Sequence, residues 1–155
     1  MIKTEEIMTR EVVTLSPEMD ILEATRILLD NQINGAPVVD STGRLVGILC
    51  QSDLIAQQKR LPIPSLFTFL DGLIPLSSTK QLEKEVRKIA ATTVSQAMTD
   101  NPVTVSPETG IEALAGLMVD NSFHTLPVVV DGKLVGIVGK EDVLKTLIAA
   151  TSPPP

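Results

Sequence analysis

Aromatic side chains are nearly missing from this chain, with three Phe and no Trp or Tyr among 155 residues. Its core must therefore be aliphatic, and it lacks the stacking platforms that single-strand nucleic-acid binders use. Cysteine is reduced to Cys50 alone, which excludes an intramolecular disulfide framework and fits a reducing compartment. The single histidine, His124, is too little for a metal site, which needs three or four convergent ligands. Basic charge is thin as well. Net charge is −6, with no basic cluster beyond Gln57-Gln58-Lys59-Arg60. Phosphate-backbone binding needs a concentrated basic surface, so nucleic acid is not expected as a direct partner. No apolar run approaches the ~20 residues that span a bilayer. The first residues, MIKTEEIMTR, carry acids and no apolar segment, unlike a signal peptide. The expectation is a cytoplasmic protein without a membrane partner.

What the chain does have is a repeat. Shifting it by 90 residues aligns Met8-Thr9 with Met98-Thr99, and Val13 to Glu18 with Val103 to Glu108. The same shift aligns Pro37-Val38-Val39 with Pro127-Val128-Val129. After a one-residue deletion, Gly43, Leu45 to Ile48 and Asp53 match Gly132, Leu134 to Ile137 and Asp142. Such self-similarity marks a duplicated structural unit.

Each copy reads β-α-β-β-α. A short β-rich run, VVTLS or PVTVS, leads in. Ser16-Pro17-Glu18 then predicts a helix start, since Ser caps, Pro suits the first position and Glu complements the dipole. Ile21, Ala24, Ile27 and Leu28 share a helical face, as do Ile111, Leu114, Leu117 and Met118. Asn31 and Asn121 are expected to end these helices in the left-handed conformation. Strands follow at Pro37–Val39 with Leu45–Leu49, and at Pro127–Val130 with Leu134–Val138, joined by Ser41-Thr42-Gly43 and Asp131-Gly132 turns. Closing helices run from about Ser52 to Lys59 and from about Glu141 to Ala149. Neither copy is large enough to bury a comfortable core alone, so the two should pack together.

The expected organisation is a first repeat over residues 1–59, an insert over 60–96, a second repeat over 97–150 and a disordered tail over 151–155. The insert opens with the apolar LPIPSLFTFLDGLIPL, broken by Pro62, Pro64, Asp71, Gly72 and Pro75. It continues as an amphipathic helix with Leu82, Val86 and Ile89 on one side. Its apolar residues read as packing on the core or on a dimer partner. It is too short to span a membrane and has no basic flank to hold it at one.

The segments IMTREVVTLSP, INGAPVVDSTGRLVGILCQSDL, AMTDNPVTVSP and FHTLPVVVDGKLVGIVGKEDVL resemble cystathionine-β-synthase (CBS) domains. The tandem looks like a CBS pair, or Bateman module, over about residues 3–58 and 94–149. The resemblance implies an α+β fold of two repeats packed about a pseudo-two-fold axis, as in stand-alone CBS-pair proteins with a similar insert. It also implies two clefts for adenosine-type ligands, each taking an acidic residue from one repeat and the lead-in of the other. One cleft would gather Asp53, Asn34, Gly35 and Ala36 with Asn101, Pro102 and Val103. The other would gather Asp142, His124, Thr125 and Leu126 with Glu11, Val12 and Val13.

Two readings stand for each acidic residue. A carboxylate opening a helix can accept from a ribose diol, or it can merely complement the helix dipole. Similar nucleotide-binding domains carry a hydroxyl at the place of Cys50 and Gly139, and Ser52 beside Asp53 offers one in compensation. His124 is open to phosphate contact or to an ordinary exposed role, and Thr125 replaces the Arg that accompanies it in some AMP-binding members. Ala36 and Leu126 serve equally as adenine walls or core. Cys50 reads as an inert thiol, having no basic neighbour in sequence to activate it.

The function expected is a regulatory module that binds AMP, ADP, ATP, NAD or S-adenosylmethionine between its repeats. It would act as a homodimer and modulate an unidentified protein in trans, requiring no cofactor. The alternative is a structural or dimerisation module with empty clefts. An enzyme fits worst, because no nucleophile–base arrangement or phosphate-binding glycine loop is evident.

Overall fold

Each alternating apolar run folds back on itself at a turn whose residues are suited to positive φ. Asp131 and Gly132 adopt φ of 51° and 79°, which matches the twist of a tight hairpin. The longer first turn is tied by Asp40, whose Oδ1 accepts from the Thr42 hydroxyl at 2.7 Å, the Thr42 N–H at 2.9 Å and the Arg44 N–H at 3.1 Å. The Thr42 hydroxyl, followed by these backbone donors, holds the Asp40 carboxyl below its ordinary pKa.

The computed structural model describes residues 1–60 and 92–151. The apolar stretch and amphipathic helix expected within 61–91, and the tail beyond Thr151, lie outside the described residues. In the first repeat, α1 (Thr4–Ile7) precedes α2 (Ile21–Asp30), β1 (Gly35–Val39), β2 (Leu45–Cys50) and α3 (Gln51–Arg60). The second has α4 (Val94–Ala97), β3 (Thr99–Asp100), α5 (Ile111–Asn121), β4 (Thr125–Val130), β5 (Lys133–Gly139) and α6 (Lys140–Thr151). The hairpins are antiparallel and matched in register, Val38 opposite Gly47 and Val128 opposite Gly136. The fold is the α+β pair of repeats expected, and the lead-in runs differ from expectation. VVTLS and PVTVS form only single parallel bridges, Leu15 to Val38 and Val105 to Val128.

The lead-ins cross between the repeats. β3 pairs with β2, Thr99 opposite Ile48, making a three-stranded sheet. Thr9 bridges Ile137 of β5 in the mirror arrangement, exchanging N–H···O bonds of 2.8 and 2.9 Å. The two short helices dock on the opposite repeat too. Val94 and Ser95 donate to the carbonyls of Met19 and Pro17, while Thr4 and Glu5 donate to those of Thr109 and Pro107. This use of the Pro17 turn explains why no helix starts there. Leu15 is held extended by β1, and α2 begins only at Ile21, capped by Asp20 Oδ1 accepting from Glu23 N–H at 2.8 Å. The helix ends are also displaced from expectation. Asn31 and Asn121 stay right-handed and cap with their side chains, donating to Ile27 O at 2.7 Å and Leu117 O at 3.0 Å. The left-handed residues are the next ones, Gln32 and Ser122.

Two aliphatic cores result, and each includes residues from the other copy. The first joins Leu15, Ala24, Leu28, Val38 and Leu49 to Val94 and Ala97. The second joins Val105, Leu114, Leu126, Val128 and Val138, with Ile7 and Met8 packed against them. Full burial of a Val or Leu contributes about 1.5–3 kcal/mol, so the crossing segments are part of what keeps each core closed. The hairpin tips meet at the pseudo-axis, where Leu45 N–H donates to Gly132 O at 3.1 Å and Leu134 N–H to Gly43 O at 3.3 Å.

The crossing requires glycine at Gly47 and Gly136. An added Cβ would lie 2.5 Å from Met98 Sδ at the first and 2.6 Å from Met8 Sδ at the second. Each is the place where the opposite lead-in lies flat on a strand. Gly47→Ala should therefore lower the unfolding free energy in urea by about 1–3 kcal/mol. Gly116→Ala in α5, whose added carbon meets nothing within 4 Å, should raise it by up to ~1 kcal/mol. Equal effects of the two substitutions would show that the lead-in contact does not govern stability.

Candidate functional site

No loop separates β2 from α3 or β5 from α6, and this direct junction creates the acidic positions. The first helical turn leaves backbone N–H groups without intrahelical partners. A carboxylate at the third helical residue can reach back to satisfy one. Asp53 Oδ2 accepts from Cys50 N–H at 2.8 Å, and Asp142 Oδ2 accepts from Gly139 N–H at 2.8 Å. The second oxygens differ. Asp53 Oδ1 accepts from the Thr99 hydroxyl of the opposite lead-in at 3.1 Å. Asp142 Oδ1 has no hydrogen-bond partner among the described residues. Each capping bond thus uses a single carboxylate oxygen, and the other oxygen is occupied by Thr99 at Asp53 and carries no partner among the described residues at Asp142.

Two cavities lie beside these junctions. The larger, about 540 Å³, is lined by Asn34, Cys50, Ser52 and Asp53 from the first repeat and by Asn101, Pro102 and Val103 from the second lead-in. It also takes His124, Thr125 and Leu126, which the sequence groups with Asp142. The smaller, about 290 Å³, is lined by Asp142, His124 and Thr125 together with Asn34 and Gly35. Ala36 is fully buried in the first core and lines neither cavity. Glu11, Val12 and Val13 line neither, and the lead-in residue that reaches the smaller cavity is Thr9.

Among the lining residues that escape the sequence reading are Thr9, Thr99, Lys140 and Lys145. The two threonines carry a legible mark, since Met-Thr recurs in both copies at the same spacing. The lysines carry none, because the repeat pairs Lys140 with the neutral Gln51. Apolar walls in the larger cavity come from Ile48, Val103 and Leu126, with amides from Asn34, Gln51 and Asn101. Among the described residues, no group of three His, Cys, Asp or Glu is placed to hold a metal ion. No helix among them is long and apolar enough to cross a membrane.

This arrangement, paired strand–helix units with exchanged lead-ins and cavities at their junctions, defines a tandem two-repeat module. The CBS-domain family model matches the chain twice, at residues 5–60 and 94–149, and the chain belongs to the CBS-domain proteins. Uncharacterized protein MJ1426 of Methanocaldococcus jannaschii is 31% identical over 153 residues, covering 92% of this chain and 89% of its own length. The structure of CBSX2 in complex with AMP superposes with a TM-score of 0.75 at 26% identity, covering 98% of this chain and 100% of that one. This chain spans 58% of the full CBSX2 sequence, a chloroplastic protein of Arabidopsis thaliana. Inosine-5'-monophosphate dehydrogenase of M. jannaschii is 28% identical but matches over only 23% of its length, so the enzyme shares the likeness in one part.

Cys50 sits at the lip of the larger cavity with its thiol against Gly35, where an added Cβ would be 2.9 Å from Sγ. Burial, and secondarily the charge of Asp53, push its pKa up to about 11. At pH 8 its thiolate fraction should be roughly 100-fold below that of an unperturbed thiol. Ellman's reagent should therefore react roughly 100-fold more slowly with the native protein than with the urea-unfolded chain. Asp53→Asn should recover only part of that difference, since burial is the larger cause. Fast labelling of the native protein at pH 8 would contradict this account of Cys50.

Proposed function

We propose that this chain is a regulatory CBS pair that senses an adenosine-containing ligand and modulates another protein in trans. The observation that carries the reading is the larger cavity. It is walled by both repeats, and its volume of about 540 Å³ falls within the ~300–1,000 Å³ range of small-molecule sites. It sets a carboxylate, Asp53, and an ammonium, Lys140, among apolar walls. In this reading Asp53 accepts from the ribose diol, Ile48, Val103 and Leu126 flank the base, and Lys140 with His124 faces phosphate. AMP in the CBSX2 structure supports the ligand class. A ligand touching both repeats would alter their relative position only through different affinity for two states, with coupling of ~1–3 kcal/mol. The module acts as a cytoplasmic homodimer, with no catalytic step of its own and no required cofactor.

A second reading, a structural or dimerisation module with empty clefts, is favoured by one specific observation. Both Asp53 oxygens already accept hydrogen bonds, from Cys50 and Thr99.

Thermal unfolding with AMP, ADP, ATP, NAD and S-adenosylmethionine separates the two. A ligand at 100 times its Kd stabilises by about 2.7 kcal/mol, which raises Tm by roughly 5–10 °C for a chain of this size. At least one of the five should produce such a shift at millimolar concentration, and Asp53→Ala should remove most of it. If none shifts Tm, the empty-cleft reading replaces this one.

A further inference from the structure

The duplication allows position-by-position comparison of the wall that the two cavities share. Asn34, His124, Thr125 and Lys140 line both cavities, so this wall faces a ligand on either side. Asn34 and His124 are pseudo-equivalent, each standing just before its hairpin. Asn34 O accepts from Gln51 N–H at 2.9 Å, and His124 O accepts from Lys140 N–H at 3.0 Å. The same bond therefore pairs Gln51 with Lys140 as the first residues of α3 and α6. Their chemistry differs. Gln51 is neutral and lines only the larger cavity, whereas Lys140 is cationic and lines both. A frame with two equivalent positions thus carries one cation.

Charge decides the consequence. The permanent charges lining the larger cavity are Asp53 and Lys140. Those lining the smaller are Lys140, Lys145, Glu141 and Asp142. Without Lys140, the first retains an unopposed carboxylate and the second retains two carboxylates against one ammonium. Neither is then suited to a phosphate. Lys140 is exposed, and no ion pair or side-chain hydrogen bond holds its ammonium among the described residues. On a flexible stem it can turn to either side as a compact point charge with three donors.

We propose that the two cavities compete for Lys140, so that the chain holds one phosphorylated ligand at a time. This inference rests on the adenosine-ligand reading above and adds the regulation of that site. A phosphate in one cavity draws the ammonium to itself and leaves the other lined by excess negative charge. A nucleoside without phosphate makes no claim on Lys140 and is free to occupy either cavity. The chain thereby distinguishes phosphorylated from unphosphorylated ligands by how many it can hold.

Isothermal titration calorimetry with AMP and with adenosine tests this on the wild type, Lys140→Gln and Gln51→Lys. The wild type should bind one AMP, with any second site weaker by about 10-fold or more, within the usual 5–150-fold range of coupling. Lys140→Gln should weaken AMP by about 10-fold and change adenosine by less than about 2-fold, as loss of a phosphate contact requires. Gln51→Lys gives the larger cavity its own cation and should raise the AMP stoichiometry from one to two. Two equal AMP sites in the wild type would overturn the proposal. So would unchanged AMP affinity in Lys140→Gln while adenosine still binds, leaving the adenosine reading intact. Binding of neither AMP nor adenosine to the wild type would overturn both.

Discussion

The constraint on which this molecule depends is the incompleteness of each repeat. A two-stranded hairpin is marginal in water, and stability comes with a third strand or packed helices. Here that supplement comes from the other copy: β3 extends the first sheet, and Thr9 bridges the second. Val94 and Ala97 enter the first core, while Ile7 and Met8 pack on the second. Because the exchange is reciprocal, neither half can be displaced without opening both cores. The cavities inherit this property. Their walls come from both copies, so a ligand there would contact the same segments that join the halves.

The acidic residues show how one side chain can serve the fold and remain available to a ligand. Asp53 and Asp142 each accept, through one oxygen, the N–H of the residue just before the helix, Cys50 and Gly139. That bond fixes the carboxylate, so its second oxygen is presented in a defined direction without further ordering cost. The asymmetry between the copies lies at that second oxygen, which meets Thr99 in one copy and no partner among the described residues in the other. A ligand diol at Asp53 would share or displace the Thr99 hydroxyl, touching the lead-in that completes the first sheet. A ligand at Asp53 would therefore lie next to the exchanged lead-in.

Much of the fold is legible in the sequence because the duplication reports it twice. The hairpins, both closing helices and the buried faces of α2 and α5 follow from periodicity and turn chemistry. The helix starts were harder to read. Ser16-Pro17 carries a good local cap signature, yet the Pro17 carbonyl is used by Ser95 of α4 from more than 70 residues away, and no local rule contains that contact. The site is legible at Asp53 and Asp142, where a strand passes directly into a helix. It is less so along the walls. His124 and Thr125 face both cavities because the hairpin openings lie side by side, a fact of packing. Lys140 was invisible for a different reason: the repeat that reveals the other positions pairs it with Gln51.

The crossing of the lead-ins also sets an order in time. Thr4 bonds to Thr109 across 105 positions of chain, and such distant contacts carry a loop-closure cost before they contribute stability. During synthesis the first hairpin emerges well before Val94 and Ala97, the residues that close its core. The second copy meets no such delay, since Ile7 and Met8 are already waiting when its strands appear. Two halves built on the same repeat are thus unequal in vulnerability. The first is exposed to misassociation and proteolysis for as long as the ribosome takes to reach the second lead-in.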